Sequence, residues 1–79
     1  MIYNNGDYLV YDNGRTVWLG KVESQNKQYW NIHEYYVDDE KWVDGPFQLE
    51  KDEPEQLHWI KVVSENDFKR EQIKRVLLK

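Results

Sequence analysis

The sequence contains no cysteine and no alanine, and it has only two prolines and four glycines among its 79 residues. The absence of cysteine excludes disulfide scaffolds, zinc sites built on thiolates and cysteine nucleophiles, and it favours an intracellular protein. No stretch approaches the roughly 18 apolar residues of a membrane-spanning helix. The N-terminal residues also lack the basic and apolar regions of a signal peptide. These absences predict a cytoplasmic protein without a membrane span.

The apolar residues that are present belong mostly to types that favour strands. Twelve aromatic residues stand beside eighteen valine, isoleucine and leucine residues. This set suffices for one core, because chains below about 80 residues rarely build more than one. We therefore expect a single domain over residues 1–79. The lack of alanine beside many asparagine, tyrosine and lysine residues is also typical of AT-rich coding, as in a low-GC bacterium or its phage.

Charge is distributed unevenly along the chain. The net charge is -4. Residues 69–79 carry five basic side chains and one acidic side chain, a net charge of +4, whereas residues 1–68 carry six basic and fourteen acidic side chains, a net charge of -8. An acidic body repels phosphate backbones, so the composition disfavours direct binding of nucleic acid by residues 1–68.

The first 63 residues consist of short alternating segments separated by turn-forming residues. We expect five strands, at 7–11, 16–24, 28–37, 41–43 and 57–63. Asn13-Gly14 predicts a type I′ hairpin turn between the first two strands. Gly20 lies inside a strand pattern and predicts a bulge or a sharp bend that lets a sheet close on itself. The segment 50–56 is expected to be an acidic loop, with one helical turn beginning at Pro54.

Alternation within the third predicted strand separates its two faces. The face that we expect to form the core carries Trp30, Ile32, Glu34 and Tyr36. Tyr29 and Tyr35 are expected to point away from that core. In the last predicted strand we expect Ile60 and Val62 to point inward and Trp59 to point outward.

The C-terminal residues 64–79 change to a helical pattern. Ser64 to Asp67 reads as a capping box, and acidic residues precede basic ones as the helix dipole prefers. One broad helical face is expected to carry Phe68, Ile73, Val76 and Leu77. The alternative is a shorter helix over 64–72 followed by a sixth strand over 73–78.

Two stretches near the N-terminus resemble a known architecture. Gly6-Asp7-Tyr8-Leu9-Val10-Tyr11 and then Trp18-Leu19-Gly20-Lys21-Val22 are similar to the opening of SH3-like small barrels of the Tudor and KOW type. The resemblance implies a mainly β fold, a small five-stranded antiparallel SH3-like barrel over 1–63, followed here by the C-terminal helix over 64–79. Members of that group act mainly as binding modules for peptides, modified side chains or nucleic acid.

The sequence holds none of the patterns that mark common enzymes. Its hydroxyl candidates are Thr16, Ser24 and Ser64, and none of them lies in a G-x-S-x-G context. His33 and His58 lie on predicted strands, where we expect a strand-surface role. The zinc-protease pattern fails, because His33-Glu34 lacks the second histidine. A calcium loop beginning at Glu40 fails, since Trp42 and Lys51 occupy ligand positions. We therefore expect no enzymatic activity, no catalytic residues, no metal and no cofactor.

Aromatic and acidic residues together favour a binding function. Exposed aromatic rings are common at interface hot spots, and the acidic run 38–55 carries two such rings. A lysine or arginine can lie over a ring while a carboxylate takes its charge. We therefore predict a protein-interaction module whose protein partner has a basic surface. The predicted partner-binding residues are Tyr35, Trp42, Phe47 and Trp59, with Asp38, Asp39 and Glu40 at the rim.

The aromatic and acidic residues also suit purely structural roles and two further functions. A barrel that uses both sheet faces, with a helix over some of its rings, needs many aromatics for its core, and an acidic run also serves solubility. The alternative function is a phage or mobile-element inhibitor that imitates nucleic acid and occupies a DNA-binding host enzyme. A third hypothesis makes the basic segment 69–79 the contact element for an acidic partner or a membrane surface. An exposed aromatic face would also serve a homodimer.

Overall fold

The computed structural model of the chain describes residues 3–77. These residues form six strands and two helices: β1 (Tyr8–Asp12), β2 (Val17–Gln25), β3 (Tyr29–Tyr36), β4 (Lys41–Trp42), β5 (Phe47–Glu50), α1 (Pro54–Leu57), β6 (Ile60–Val63) and α2 (Glu65–Leu77). The prediction of a mainly β fold with a C-terminal helix is confirmed. The strand β5 was not predicted, because its short apolar alternation merges into the acidic loop that follows.

All strand pairs in the sheet are antiparallel. The order is β4-β3-β2-β1-β6, and β5 pairs with β3 on the same edge as β4. Within residues 3–77, β6 pairs with β1, and no ladder joins it to β4 or β5. The ladders therefore leave the sheet unclosed, and the closure that a barrel requires is not established by strand pairing.

The first hairpin forms where it was predicted, but with a different turn. The Asn13 backbone N–H donates to the Thr16 carbonyl oxygen at 3.2 Å. Gly14 has φ of +89°, whereas Asn13 does not have positive φ. The central residues are thus Gly14 and Arg15, as in a type II′ turn, and the predicted type I′ turn is wrong. The Asn13 side chain instead accepts hydrogen bonds from the backbone N–H groups of Arg15 and Thr16.

Gly20 serves close packing and not the expected bulge. The register of β2 against β3 shifts between Val22 and Ser24, beyond the glycine. A Cβ atom on Gly20 would lie 2.5 Å from the Ile32 Cγ2 atom and 3.2 Å from the His33 carbonyl oxygen. The glycine is therefore needed because the branched side chain of Ile32, two residues along β3 from Glu34, which pairs with Gly20, fills the space that a Cβ would occupy.

The sheet buries apolar side chains on both faces. The first core cluster comprises Tyr3, Leu9, Val22, Trp30, Ile32, Leu49, Leu57 and Ile60. The second cluster, on the other face, comprises Val10, Leu19 and Phe68, with Tyr8, Tyr35, Val37, Trp42 and Val63 packed against it. The predicted core face of β3 is confirmed by Trp30 and Ile32. The second cluster shows that the C-terminal helix does cover aromatic rings on the opposite face.

The last predicted strand is shorter than expected and its inward face differs. Leu57 ends α1, which begins at Pro54, so β6 starts only at Ile60. Ile60 is buried as predicted, but Val62 is half exposed. The prediction for Val62 is wrong, because β6 is the terminal strand of the order and pairs only with β1, which leaves this side chain half exposed.

The helix α2 confirms the helical prediction through Leu77 and excludes a sixth strand over 73–77, while Leu78 lies outside the described residues. Ser64 Oγ accepts a hydrogen bond from the Asp67 backbone N–H at 3.1 Å, which caps the helix. The single apolar face is wrong, however, since Phe68 is buried whereas Ile73 and Leu77 are exposed. At about 100° per residue, Leu77 lies roughly 180° around the helix from Phe68.

Candidate functional site

The β3–β4 turn collects most of the predicted site residues. The ladder of β3 with β4 pairs Tyr35 with Trp42. Asp38, Asp39 and Glu40 form the turn between these strands, and all three residues are exposed. We call the surface made by these five residues the turn face.

The aromatic residues of the turn face are held by the second core cluster. The Tyr35 and Trp42 rings meet edge to face at 5.5 Å between centroids. The Trp42 ring also stacks nearly parallel on the buried Phe68 ring, with 5.7 Å between centroids. The centroid of the His33 ring lies 4.9 Å from that of Trp42. Tyr35 was expected to point into solvent, but it is half-buried because α2 covers this face of the sheet. Both rings therefore have fixed positions beneath the acidic turn.

The turn itself holds one residue in an unusual backbone conformation. Glu40 has φ of +52°, the only positive φ among the non-glycine residues 3–77. The left-handed region costs about 1 to 2 kcal/mol for a residue with a side chain, and glycine or asparagine normally occupies it. A carboxylate at this position is thus kept against the conformational preference of the backbone.

The other two predicted aromatic residues lie elsewhere. Phe47 belongs to the first-cluster face of the sheet, where its ring meets Trp18 at 5.1 Å. Trp59 precedes β6 at the other end of the strand order, where it is 45% exposed and packs against His58. The structure therefore brings together five of the seven predicted residues and separates Phe47 and Trp59 from them. Binding by any of the seven stays a prediction.

A groove runs between the turn and α2. It has a volume of about 380 Å³ and is lined by Tyr35, Glu40, Lys69, Gln72, Ile73, Val76 and Leu77. Ile73 is 62% exposed and Leu77 is 78% exposed, so its helical wall is apolar and open. The helical residues were assigned to the core from the sequence. Their angular offset from Phe68 is the signal that could have placed them on the surface.

Two depressions flank Glu34 on β3. One has a volume of about 330 Å³ and includes Trp18 and Asp38, and the other has a volume of about 480 Å³ and includes Asp39 and Trp42. Glu34 and Tyr36 line both of them. Burial raises the pKa of the Glu34 carboxyl above its usual value. Alternation in the sequence placed this carboxylate on the core face of its strand. A charged residue at a predicted core position is itself a signal of a functional residue.

Three of the four basic side chains of α2, those of Lys69, Arg70 and Arg75, form ion pairs. Arg75 is 19% exposed and contacts Asp12 at 3.1 Å and Glu71 at 3.2 Å. The backbone N–H of Gly14 and then the Arg75 guanidinium lower the pKa of Asp12. Lys69 and Arg70 pair with Glu65 and Asp67 in largely exposed positions, which contribute little stability. Arg75 therefore fastens α2 to the end of β1.

The histidines and the helices of the described part of the chain are the remaining features that bear on a candidate site. No group of three or more His, Asp or Glu side chains within residues 3–77 is placed to hold a metal ion. The two histidines contact tryptophan rings, His33 against Trp42 and His58 against Trp59. Between Tyr3 and Leu77, no helix has both the length and the apolar character needed to cross a membrane.

Comparison with known proteins adds no relative. The chain matches no protein-family model, no curated protein and no solved structure. Evidence for function therefore comes from the geometry of the surface alone.

Proposed function

We propose that this protein is a non-catalytic interaction module of SH3-like barrel form, and that its turn face and the adjoining groove bind a protein partner with a basic surface. The observation that carries the proposal is the position of three exposed carboxylates beside an open apolar groove. Glu40 lies at one wall, with Asp38 and Asp39 beside it in the same turn, and Ile73 and Leu77 form the other wall.

The barrel form is supported by the way the first cluster is enclosed. Buried Leu57 from α1 and Tyr3 from the N-terminal segment pack against the same face of the sheet as Trp30. The Tyr3 and Trp30 rings lie 4.7 Å apart, and the Trp30 Nε1–H donates to the Tyr3 carbonyl oxygen at 3.2 Å. Segments outside the strands thus help to cover the first cluster, which supports a barrel form although the edges of the sheet are not paired.

Apolar exposure favours binding at the groove. Ile73 and Leu77 are the most exposed large apolar residues between Tyr3 and Leu77. Burying such side chains stabilises a complex by about 1.5 to 3 kcal/mol each at full burial. Their separation of one helical turn suits a pair of apolar side chains from one partner segment. The groove thus supplies attraction that does not depend on salt.

Charge favours a basic partner. Ion pairs between described residues involve the acidic side chains of Asp12, Glu65, Asp67 and Glu71, and none involves the residues from Asp39 to Glu55. Carboxylates without intramolecular cations remain available to lysine or arginine side chains, and they steer association and select the partner. The turn lies beside aromatic rings that are already packed, so binding orders few further side chains and loses less conformational entropy.

The test is capture of partners with two variants of equal charge. The turn variant carries Asp38→Asn, Asp39→Asn and Glu40→Gln, and the control variant carries Asp52→Asn, Glu53→Gln and Glu55→Gln. A protein captured by the natural chain and by the control, but lost with the turn variant, supports the proposal. Its dissociation constant should rise at least about tenfold with the turn variant in titration calorimetry. Equal loss with both variants would contradict a localised site.

The same experiment examines imitation of nucleic acid, which the acidic side chains from Asp39 to Glu55 also support. A mimic uses many phosphate-like charges at once, so both variants should weaken it by similar factors. Its partner should be a DNA-binding enzyme, and its affinity should fall steeply with salt. The interaction module instead keeps most of its affinity at moderate salt, because Ile73 and Leu77 contribute apolar contacts.

A further inference from the structure

Glu34 is a half-buried carboxylate for which residues 3–77 supply no cation. Its side chain takes part in none of the ion pairs of that range, and burial alone raises its pKa. Glu71 gives the contrast, because its side chain is 26% exposed and lies 3.2 Å from the Arg75 Nε atom. A partly desolvated carboxylate costs folding free energy unless a cation compensates it.

The cations that line a depression together with Glu34 are engaged elsewhere or form no ion pair with it. Arg75 lines one of the two depressions, but its guanidinium is held by Asp12 and Glu71. Lys41 lines the other depression, yet it lies beyond the 4.0 Å limit of an ion pair with Glu34. Among the described side chains, the Glu34 carboxylate therefore has no partner of opposite charge.

Aromatic rings line the same two depressions as this carboxylate. Tyr36 is 48% exposed and lines both depressions beside Glu34. Trp18 lines the first depression and is held in place by Tyr11, whose ring is parallel to it at 5.5 Å. Trp42 lines the second depression and is fixed by Phe68. A planar cation would find a ring face and a carboxylate in the same depression.

We infer that Glu34 is a specificity-determining residue that receives the guanidinium of an arginine side chain from the protein partner. The inference rests on the proposed function, and it names arginine as the side chain of the partner that this protein selects. A guanidinium is planar, weakly hydrated and able to donate two parallel hydrogen bonds to one carboxylate while it stacks on an aromatic ring. A lysine ammonium is more strongly hydrated and gains less in such a depression.

The test uses a small probe, so it does not require the partner. N-acetylarginine amide and N-acetyllysine amide are titrated into the 79-residue chain, followed by NMR of the tryptophan indoles and the Glu34 carboxyl. We expect saturable shifts at Trp18 or Trp42, tighter binding of the arginine probe, and a fall in the pKa of Glu34 on binding. Glu34→Gln should weaken the arginine probe about tenfold, as the loss of a charged hydrogen-bonded pair predicts.

Control variants separate this site from general acidity. Glu50→Gln removes an exposed carboxylate from β5 and should leave the affinity unchanged. Tyr36→Leu keeps the carboxylate, removes the ring and should weaken the arginine probe while Glu34 retains its raised pKa. Absence of saturable shifts, equal binding of both probes, or equal effects of Glu34→Gln and Glu50→Gln would overturn the inference. Because the probe binds without the partner, such a failure would overturn this inference but would not decide the capture experiment on the turn face.

Discussion

Replacement of Phe68 tests whether α2 is an integral part of the core. Phe68 is 1% exposed, its ring lies 4.7 Å from Tyr8 and 5.7 Å from Trp42, and it packs with Val10 and Leu19. Truncating a buried phenylalanine to alanine typically costs about 3 to 5 kcal/mol. A domain of this size has a net stability of roughly 3 to 5 kcal/mol. Phe68→Ala should therefore leave the chain largely unfolded at equilibrium.

A milder variant keeps the effect measurable. Phe68→Leu loses two ring contacts, each worth about 0.5 to 1.5 kcal/mol, but the leucine retains most of the apolar volume and recovers part of this loss, so we expect a net loss of about 1 to 2 kcal/mol. Urea unfolding followed by tryptophan fluorescence gives this value from the midpoint. With a slope of about 1 kcal/mol per molar urea, the midpoint should fall by about 1 to 2 M.

The matched control lies on the same helix. Ile73 is 62% exposed, so Ile73→Ala should change the unfolding free energy by no more than about 0.5 kcal/mol. Alanine also favours the helix slightly more than isoleucine does. If Phe68→Leu and Ile73→Ala had equal effects, or if Phe68→Ala retained a cooperative transition near the natural midpoint, the assignment of α2 to the second core would be refuted.

Three further predictions use the same unfolding assay. Gly20→Ala should lose about 1 to 3 kcal/mol, because the new Cβ meets the stiff Ile32 branch and a backbone carbonyl; an unchanged midpoint would contradict the close packing. Glu40→Gly should gain about 0.5 to 1 kcal/mol by relieving the positive φ, with Glu40→Ala as the control that should not gain. Burial raises the pKa of Glu34, so the folded chain binds a proton at this carboxyl more tightly than the unfolded chain does. The free energy of unfolding should therefore rise as pH falls toward the ordinary Glu pKa of 4.5. Glu34→Gln should abolish that rise, and the opposite slope remaining from Asp12, whose pKa is lowered, should then dominate below its ordinary value of 3.8. A pH profile identical to that of the natural chain would count against the burial of Glu34.

Local patterns in the sequence predicted the elements that depend on local chemistry. Asn13-Gly14 marks a hairpin because few other pairs reverse a chain so tightly, and Ser64 marks a helix start because its hydroxyl caps a backbone N–H. The turn type was wrong because the register of the flanking strands, and not the dipeptide, decides which residues occupy the turn centre. Alternation also identified Trp30 and Ile32 as core residues, since the first cluster covers this part of one face of β3, whereas Tyr36 on the same face is exposed.

Features that depend on residues distant in the chain were not predictable in the same way. The role of Gly20 depends on Ile32, whose side chain comes close to the glycine only after β2 and β3 pair. The exposed wall made by Ile73 and Leu77 depends on which side of α2 docks, and Phe68 decides this. The turn face is local, so its carboxylates and Trp42 were predicted together. The opposite wall of the groove comes from residues more than thirty positions further along.

The order of elements along the chain has a consequence for synthesis. All six strands precede α2, and among the described elements α2 is the one whose Phe68 covers Val10 and Leu19 on the second face of the sheet. A sheet that forms before α2 docks presents an uncovered apolar surface on that face. Exposed apolar surface of this kind promotes aggregation, so the newly made chain is most vulnerable until Phe68 docks.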